Sequence, residues 1–270
     1  MLAPVLPLES QVALITGANH GIGAATAVAL ARRGADGVIT YLRTTAIDPD
    51  DEYQRQRAED GSATRAAIHA LGRRCLAIET DLVDVTAPAR LFDAAEAELG
   101  PVSILVHNAS GWRKDSFDAG GTDAVGRSNH PLTADSIDVQ LHVDARAGAL
   151  LMNEFIRRHR VRQATWGRII TLTSGDGRGY PGEVSYGAAK AALISYTLSA
   201  ASEMAADGVT ANVVHPPVTD TGWITDEVRS FVANDNDHHH VASADEVGDV
   251  IGMLCAEGGR LLTGNIIRLR

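Results

Sequence analysis

Tyr186 and Lys190 stand four positions apart in a stretch with helical patterning, residues 185–206. Four positions correspond to about one helical turn, so the phenol and the ammonium are predicted to share one face of the helix. A free phenol has a pKa of about 10, and a nearby ammonium favours the phenolate, so we expect the pKa of Tyr186 to be lowered. With Ser174 at the end of a nearby predicted strand, the pair suits acid catalysis. In isolation, the same spacing is also typical of an ordinary amphipathic helix.

A glycine-rich run, residues 16–23 (TGANHGIG), follows the first predicted strand and opens the first predicted helix. Glycines let a backbone turn tightly and approach a pyrophosphate without a Cβ in the way. The N-terminus of the helix then supplies free N–H groups and a partial positive charge. At this strand–helix junction, the run predicts a dinucleotide-binding turn.

The end of the second predicted strand bears on which dinucleotide is bound. An acidic residue there would hold a ribose 2′-hydroxyl, but the strand ends in Tyr41-Leu42-Arg43. Arg43 could instead pair with a 2′-phosphate, and His20 in the glycine turn could assist. The sequence therefore favours NADP(H) over NAD(H), the alternative being that Arg43 is one of many surface arginines.

Apolar runs alternate with helical patterns through most of the chain. The predicted strands are residues 11–16, 38–42, 75–80, 102–107, 168–174 and 209–215, with 265–269 as a possible seventh. The predicted helices are residues 23–33, 63–71, 88–99, 136–158 and 185–206. Because the strands are apolar on both faces and each is followed by a helix, we predict an α/β fold. This is a single-domain Rossmann fold over residues 1–270, a doubly wound parallel sheet of about seven strands with helices on both faces.

Two polar segments interrupt this pattern. Residues 44–62 are acidic, and residues 111–133 are rich in Gly, Asp and Ser. Both are interpreted as surface loops or insertions, which either are simply solvated or frame a substrate mouth.

Composition excludes several classes of protein. The chain has 270 residues, 45% of them hydrophobic, and a formal net charge of −10, which opposes binding to nucleic acid or an anionic membrane. No apolar run approaches the roughly 18 residues of a membrane helix, and the start of the chain lacks the pattern of a secretion signal. Cys75 and Cys255 lie far apart and make no disulfide framework. We expect a soluble, cytoplasmic protein without nucleic-acid or membrane partners.

Together these motifs resemble the short-chain dehydrogenase/reductase (SDR) family, and most closely its 3-oxoacyl-carrier-protein-reductase-like branch. The resemblance covers residues 11–267, with the nucleotide-binding start at residues 10–43. Its markers are residues 16–23, Asp81-Leu82, Asn108-Ala109-Ser110, Ser174, Tyr186 with Lys190, and residues 215–223 (HPPVTDTGW).

The resemblance implies a role for each marker. Tyr186 would donate a proton to a carbonyl oxygen while the nicotinamide delivers hydride, Ser174 would hydrogen-bond that oxygen, and Lys190 would hold the nicotinamide ribose. Asp81 would face the adenine, and Asn108 would support the central strand and the cofactor. The residues implied in cofactor binding are Gly17, Asn19, His20, Gly21, Ile22, Gly23, Tyr41, Arg43, Asp81, Leu82, Asn108, Ala109, Ser110, Tyr186, Lys190, Pro216, Val218 and Thr221.

Three departures from the family pattern affect the predicted catalytic set. Asp144 stands where an Asn usually holds a water behind the lysine, and its charge could raise the pKa of Tyr186 indirectly. We nevertheless place Asp144 in the set. The segment between Ser174 and Tyr186 is shorter than the common pattern, which leaves Thr173 as a fallback for the serine. Pro217 stands where Gly is expected, which removes a backbone donor and stiffens the turn.

The resemblance implies that residues 219–241 form a mobile flap over the substrate, with Trp112, Trp223 and Ile224 as apolar contacts. Within the flap, the run His238-His239-His240 raises the question of a metal. Consecutive histidines on a flexible segment give no fixed coordination geometry, so no metal is predicted.

The resemblance also implies self-association, because the family forms dimers through the helices that correspond to residues 136–158 and 185–206. We therefore expect a homodimer or homotetramer. An alanine-rich face of the second helix could pack against a partner, the alternative being packing within the chain. Its members are Ala188, Ala189, Ala192 and Ala200.

The expected function is that of an NADP(H)-dependent oxidoreductase acting on the carbonyl, alcohol or C=N group of a small organic substrate. The alternative is a non-catalytic NADP(H)-binding regulatory or scaffold protein of the same fold. Asp144, Pro217 and the shortened segment favour the alternative. The presence of both Tyr186 and Lys190 opposes it, because a pure binder needs neither.

Overall fold

The computed structural model describes residues 6–45, 52–123, 126–175, 179–236 and 239–270. Within these ranges one parallel sheet contains the strands β1 (Val12–Thr16), β2 (Asp36–Tyr41), β3 (Cys75–Glu79), β4 (Val102–His107), β5 (Gly167–Leu172), β6 (Val209–His215) and β9 (Ile266–Arg268). Their order is β3-β2-β1-β4-β5-β6-β9. Two further strands, β7 (Thr219–Asp220) and β8 (Ala242–Ser243), pair separately.

Helices cover both faces of this sheet. The helices are α1 (Gly21–Arg32), α2 (Glu52–Ala58), α3 (Ser62–Ala70), α4 (Ala87–Glu98), α5 (Ala134–Gln140), α6 (Ala147–Val161), α7 (Val184–Met204), α8 (Asp226–Asn234) and α9 (Ala244–Cys255). One core, under α4, α6 and α7, contains Phe92 and Phe155, and the other, under α1, α3 and α9, contains Leu30 and Ile251. The predicted doubly wound α/β fold is confirmed.

The order of the strands determines where a site can form. β1, β4 and β5 are buried along their whole length, as their apolar sequences require of strands covered on both faces. β1 lies between β2 and β4, so the chain crosses to the other half of the sheet after β3. In such sheets the crevice beyond the carboxyl ends of the strands, at this reversal, is the usual ligand site. The motifs singled out from the sequence follow the six strands β1 to β6.

The predicted loop at residues 44–62 is wrong in part, because it contains α2. Sequence periodicity missed this helix because it buries no side chain and so has no apolar stripe. Glu52 lies in its first turn and Arg55 and Arg57 in its last, which suits the helix dipole. In contrast, residues 111–133 contain isolated bridges and no helix in the part that is described, as expected of a loop.

The long helix predicted at residues 136–158 runs from Ala134 to Val161, with a π-helical turn, Leu141–Arg146, between α5 and α6. A π turn inserts one residue into the helical repeat, and such turns occur often at functional sites. Asp144, one of the predicted catalytic residues, lies in this turn and is completely buried.

Two helices near the C-terminus, α8 and α9, were not predicted, nor were the short strands β7 and β8. α9 begins with a capping box between Ser243 and Glu246, a pattern that the sequence also displays. α8 lies inside the predicted flap. The predicted seventh strand at 265–269 is confirmed by β9. No helix in the described ranges is long and apolar enough to cross a membrane.

Candidate active site

The start of α7 places Tyr186 and Lys190 together. The Lys190 Nζ lies 5.3 Å from the centroid of the Tyr186 ring, which confirms that they share one helical face. Asp115, in the loop after β4, fixes this end of the helix because its Oδ1 accepts a hydrogen bond of 2.9 Å from the Ser185 backbone N–H. Its Oδ2 accepts one of 2.8 Å from the Ser136 hydroxyl in α5. One buried carboxylate therefore ties the first turns of two helices together.

We expect replacement of Asp115 by Ala to destabilise the protein. Asp115 is fully buried and each of its hydrogen bonds involves an ionised acceptor, which contributes about 1.5–3 kcal/mol. The free energy of unfolding should fall by roughly 3 kcal/mol or more, measured by urea denaturation. Asp118→Ala, at an exposed position of the same loop, is the control. An Asp115→Ala protein as stable as the control would contradict this role.

Asp144 and Lys190 form a buried ion pair. The Lys190 Nζ lies 2.9 Å from the Asp144 Oδ1, and the two side chains are 3% and 0% exposed. The other carboxylate oxygen, Oδ2, accepts a hydrogen bond of 2.8 Å from the Gly111 backbone N–H. The carboxylate thus holds the ammonium at a fixed position behind the tyrosine.

The expected lowering of the pKa of Tyr186 is wrong in direction. Burial raises the pKa of Tyr186 well above its ordinary value, and the negative charge of Asp144 raises it further. The ammonium of Lys190 cannot favour the phenolate as expected, because its charge is balanced by a carboxylate at contact distance. The effect of Asp144 on the pKa of Tyr186 thus has the expected direction, but its charge also acts on the phenol directly.

Ser174 contacts a second tyrosine, which the sequence analysis missed. The Ser174 Oγ lies 3.2 Å from the Tyr180 Oη, and the Tyr180 and Tyr186 rings are 5.9 Å apart. Ser174 lies two positions beyond the end of β5, so the strand is shorter than predicted. Thr173, the fallback, is 3% exposed and its hydroxyl has no hydrogen-bond partner among the described residues.

The glycine turn after β1 has the geometry that a pyrophosphate requires. Gly17 and Gly21 have φ angles of +62° and +56°, which favour glycine. A Cβ on Gly23 would lie 2.1 Å from the Gly17 carbonyl oxygen, so no other residue fits there. The Asn108 Nδ2 donates to the Gly17 carbonyl at 2.7 Å, as expected of a residue that supports this region. The turn fits a dinucleotide phosphate at the N-terminus of α1.

We expect Gly23→Ala to disrupt this turn. The added methyl group would meet backbone atoms that can give way only by moving the turn, at a cost of about 1–3 kcal/mol. The melting temperature and the affinity for NADPH should both fall. Gly120→Ala, where a Cβ meets nothing within 4 Å, is the matched control. Equal NADPH affinity in the two variants would contradict the assignment of the turn.

His107 joins the nucleotide turn to the π turn, a connection that the sequence did not indicate. Its Nε2 donates to the Asp144 carbonyl at 3.1 Å, because a carbonyl can only accept. Its Nδ1 then accepts from the Thr16 hydroxyl at 3.0 Å. Burial lowers the pKa of His107 to about 4, and the charge of Lys190 lowers it too, so the ring is neutral at physiological pH.

The predicted 2′-phosphate residues are partly engaged elsewhere. Arg43 is exposed and forms an ion pair of 2.8 Å with Glu79 at the end of β3. Burial, and then the charge of Arg57, lower the pKa of His20 to about 4, so this imidazole is neutral near pH 7. Tyr41 is half-buried at the end of β2. The expected assistance from His20 therefore cannot come from a positive charge.

The remaining predicted cofactor residues lie in the turn or in the segments that follow β3, β4 and β6. Thr221 touches Gly21, because a Cβ on that glycine would lie 3.0 Å from the Thr221 Cγ2. The Val218 carbonyl accepts from the Ala242 N–H at 2.9 Å, which links β7 to β8. The others are Asn19 and Ile22 at the turn, exposed Asp81 and buried Leu82 after β3, Ala109 and Ser110 after β4, and half-buried Pro216 and Pro217 after β6.

The two tryptophans predicted to contact the substrate are linked to each other through Glu183 and Arg127. The Trp112 Nε1 donates to the Glu183 Oε2 at 3.0 Å, and Arg127 forms an ion pair of 3.1 Å with the Glu183 Oε1. The Arg127 Cζ also lies 5.9 Å from the Trp223 ring. Glu183 and Arg127 thus connect both tryptophans, and the sequence analysis missed both residues. Ile224 is half-buried beside Trp223 in the chain.

The histidine run contributes no contact to these residues in the part that is described. His240 Nε2 lies 3.0 Å from the Glu246 Oε1 at the start of α9. His238 lies outside the described residues. Within the described ranges, no cluster of three His, Cys, Asp or Glu side chains is arranged to hold a metal.

Residues 11–230 match the family model described as short chain dehydrogenase. The chain belongs to the short-chain dehydrogenase family. It is 32% identical to an uncharacterized oxidoreductase of Bacillus subtilis (strain 168), over 96% of this chain and 95% of that protein. It is also 28% identical to a 3-oxoacyl-(acyl-carrier-protein) reductase of Escherichia coli (strain K12), over 97% and 96% of the two chains.

Solved short-chain dehydrogenases share the fold. A short-chain dehydrogenase from Burkholderia cenocepacia J2315, solved in complex with NADP, has a TM-score of 0.79 and 30% identity, and 97% of each chain is covered. The family resemblance expected from the sequence, including relatives among the 3-oxoacyl-carrier-protein reductases, is therefore confirmed. The protein is an oxidoreductase of the short-chain dehydrogenase family.

Proposed function

We propose that this short-chain dehydrogenase transfers hydride between NADP(H) and a carbonyl or alcohol group, or a C=N group, of a small organic substrate. The observation that carries the proposal is the placement of Tyr186, Lys190 and Asp144 at the carboxyl edge of the sheet. The Lys190 Nζ lies 5.3 Å from the Tyr186 ring and 2.9 Å from the Asp144 Oδ1. This edge also carries the nucleotide turn, so both reactants would meet there.

When bound, the dinucleotide supplies the hydride. The chain's own residues bind and orient it: the turn between β1 and α1 takes the phosphates, and Lys190 takes the nicotinamide ribose. Tyr186 donates a proton to the substrate oxygen or nitrogen. Ser174 hydrogen-bonds the same substrate atom, for which it exchanges its contact with Tyr180. Trp112 and Trp223 contact the apolar part of the substrate.

The raised pKa of Tyr186 favours one direction of reaction. A phenol with a high pKa remains protonated near pH 7, and the protonated phenol is the form that donates a proton during reduction. Oxidation would require the phenolate, which is scarce under the same conditions. We therefore propose that reduction is the faster direction at neutral pH.

The test is NADPH consumption with a panel of ketones, aldehydes and cyclic imines. We expect reduction of at least one class, with higher kcat/KM for NADPH than for NADH. Absorbance of the reduced nicotinamide reports turnover, and quenching of protein fluorescence reports binding separately. NADPH binding without oxidation across the whole panel would contradict the proposal.

That contrary result would favour a second candidate, a non-catalytic NADP(H)-binding regulatory protein. The observation in its favour is that Asp144 balances the charge of Lys190 and so leaves Tyr186 a weak acid. The completeness of the Tyr186, Lys190 and Ser174 set favours the enzyme.

We also propose that the protein forms a homodimer or homotetramer through α5, α6 and α7. Ala188 and Tyr196 are exposed along α7, which leaves part of this helix available to a partner. Ala189 and Ala200 are buried within the chain, so the expected alanine face serves intrachain packing in part. Sedimentation velocity would test the assembly, and a monomer at micromolar concentration would contradict it.

A further inference from the structure

α2 lies against the nucleotide turn. The Asn19 Nδ2 donates to the carbonyls of Gln56 and Glu59 at 3.2 and 3.0 Å, which caps the last turn of α2. Close to the end of β2, the Thr44 N–H donates to the Arg57 carbonyl at 3.2 Å. These bonds fix α2 to both segments that the sequence analysis assigned to the 2′-phosphate.

Arg57 brings a guanidinium close to the glycine turn. Its Cζ lies 5.6 Å from the Tyr53 ring, and the Tyr53 ring stands edge-on to the His20 ring at 5.8 Å. The Arg57 side chain is half-buried, and among the described residues no carboxylate forms an ion pair with it. In a chain with a net charge of −10, such a cation beside a helix N-terminus and a glycine turn is placed to receive an anion.

The two cations expected at this position are weaker candidates than the sequence suggested. The guanidinium of Arg43 donates to both carboxylate oxygens of Glu79, at 3.1 Å from Nε and 2.8 Å from Nη2. His20 is neutral near pH 7, partly because the charge of Arg57 is close to it. A dianionic phosphate bound here would therefore lack a freely available positive charge from either residue.

We infer that Arg57 is a specificity-determining residue for the cofactor, whose guanidinium binds the 2′-phosphate of NADP(H) from α2. The inference rests on the proposed function, since it concerns the cofactor of that same site. Arginine suits the role because its planar fork donates two hydrogen bonds to a phosphate, and stacking on Tyr53 limits its motion before binding. Selectivity for NADP(H) over NAD(H) then depends on α2 as well as on the end of β2.

Binding of intact dinucleotides to Arg57→Gln tests the inference without any need for turnover. Titration by protein fluorescence gives Kd values for NADPH and NADH. Loss of a charge-assisted phosphate contact should weaken NADPH binding by about tenfold or more, while NADH binding changes by less than about twofold. Arg57→Lys should fall between wild type and Arg57→Gln, because lysine retains the charge without the fork.

Arg55→Gln is the matched control, since Arg55 is exposed on the same helix and the substitution removes the same charge. It should leave the ratio of the NADH and NADPH dissociation constants within about twofold of wild type, as screening of a distant charge predicts. Competition by adenosine 2′,5′-bisphosphate and by adenosine 5′-monophosphate isolates the 2′-phosphate. In Arg57→Gln, only the binding of adenosine 2′,5′-bisphosphate should become weaker.

Equal losses for NADPH and NADH in Arg57→Gln would overturn the inference, and so would an unchanged ratio of their dissociation constants. Thermal melting shows whether each variant folds; because α2 buries no side chain, we expect unchanged melting temperatures. The failure of the proposed function has a different signature. It would appear in the wild-type protein, as binding of NADPH without turnover or as an absence of binding to either dinucleotide, which would also overturn the inference.

Discussion

Replacement of Tyr186 by Phe is expected to lower kcat by about a thousandfold while the Kd for NADPH changes by less than about twofold. The hydroxyl is the only group removed, and it is the proton donor of the proposed reduction. The ring remains to pack at the start of α7, where Tyr180 lies 5.9 Å away. Steady-state kinetics and a fluorescence titration of NADPH would measure the two quantities.

Tyr196→Phe provides the control for this variant, because Tyr196 is on the same helix and 48% exposed. Its kcat should match that of the wild type. A Tyr186→Phe protein with more than a tenth of wild-type kcat would show that another group donates the proton. Tyr180 would then be the first group to consider, since its hydroxyl contacts Ser174 at 3.2 Å.

Replacement of Asp144 by Asn is expected to move the pH profile of reduction to lower pH. The negative charge of Asp144 raises the pKa of Tyr186, so its removal lowers that pKa. Reduction requires the protonated phenol and slows as pH rises through its pKa. The falling limb of kcat/KM should therefore shift downward by roughly one pH unit or more. In the direction of oxidation, which needs the phenolate, the rate near pH 7 should rise.

The comparison requires kcat/KM in both directions from neutral pH up to about pH 12, because the raised pKa of Tyr186 places the falling limb of the wild type at high pH. Asp138→Asn, at an exposed position of α5, should leave both profiles unchanged. An unchanged or upward-shifted limb in Asp144→Asn would contradict the electrostatic role of Asp144.

Asp144→Ala should in addition lower the free energy of unfolding by about 3–5 kcal/mol, because it leaves the buried ammonium of Lys190 without a partner.

Sequence patterns predicted most of the sheet because its strands are apolar on both faces and its glycine turn has few geometric alternatives. The same reasoning failed for α2, which has no apolar stripe, since its position depends on polar bonds from Asn19. The α5–α6 helix was predicted with shifted ends, but its π turn was not. Local propensity does not reveal an extra residue within a helical repeat.

At the candidate site, the sequence identified Tyr186, Lys190 and Asp144 but misjudged their electrostatics. Spacing along a helix shows that two side chains meet, and the structure confirms that meeting. The pKa of the phenol depends also on burial and on a carboxylate from another helix, which one segment of sequence cannot show. Glu183 and Arg127 were missed for the same reason, because a loop brings them together across 56 positions of the chain. Tyr180 lies six positions from Ser174, but no helix or strand periodicity relates the two residues.

The imidazole of His107 has a consequence for how such a protein can change during evolution. It spans the interior between Thr16 and the backbone of Asp144, so a single rigid ring sets the separation between the end of β1 and the π turn. Residues 117–120, exposed in the loop after β4, do not enter that spacing. Substitutions among them can change the surface of the protein without moving these two elements apart.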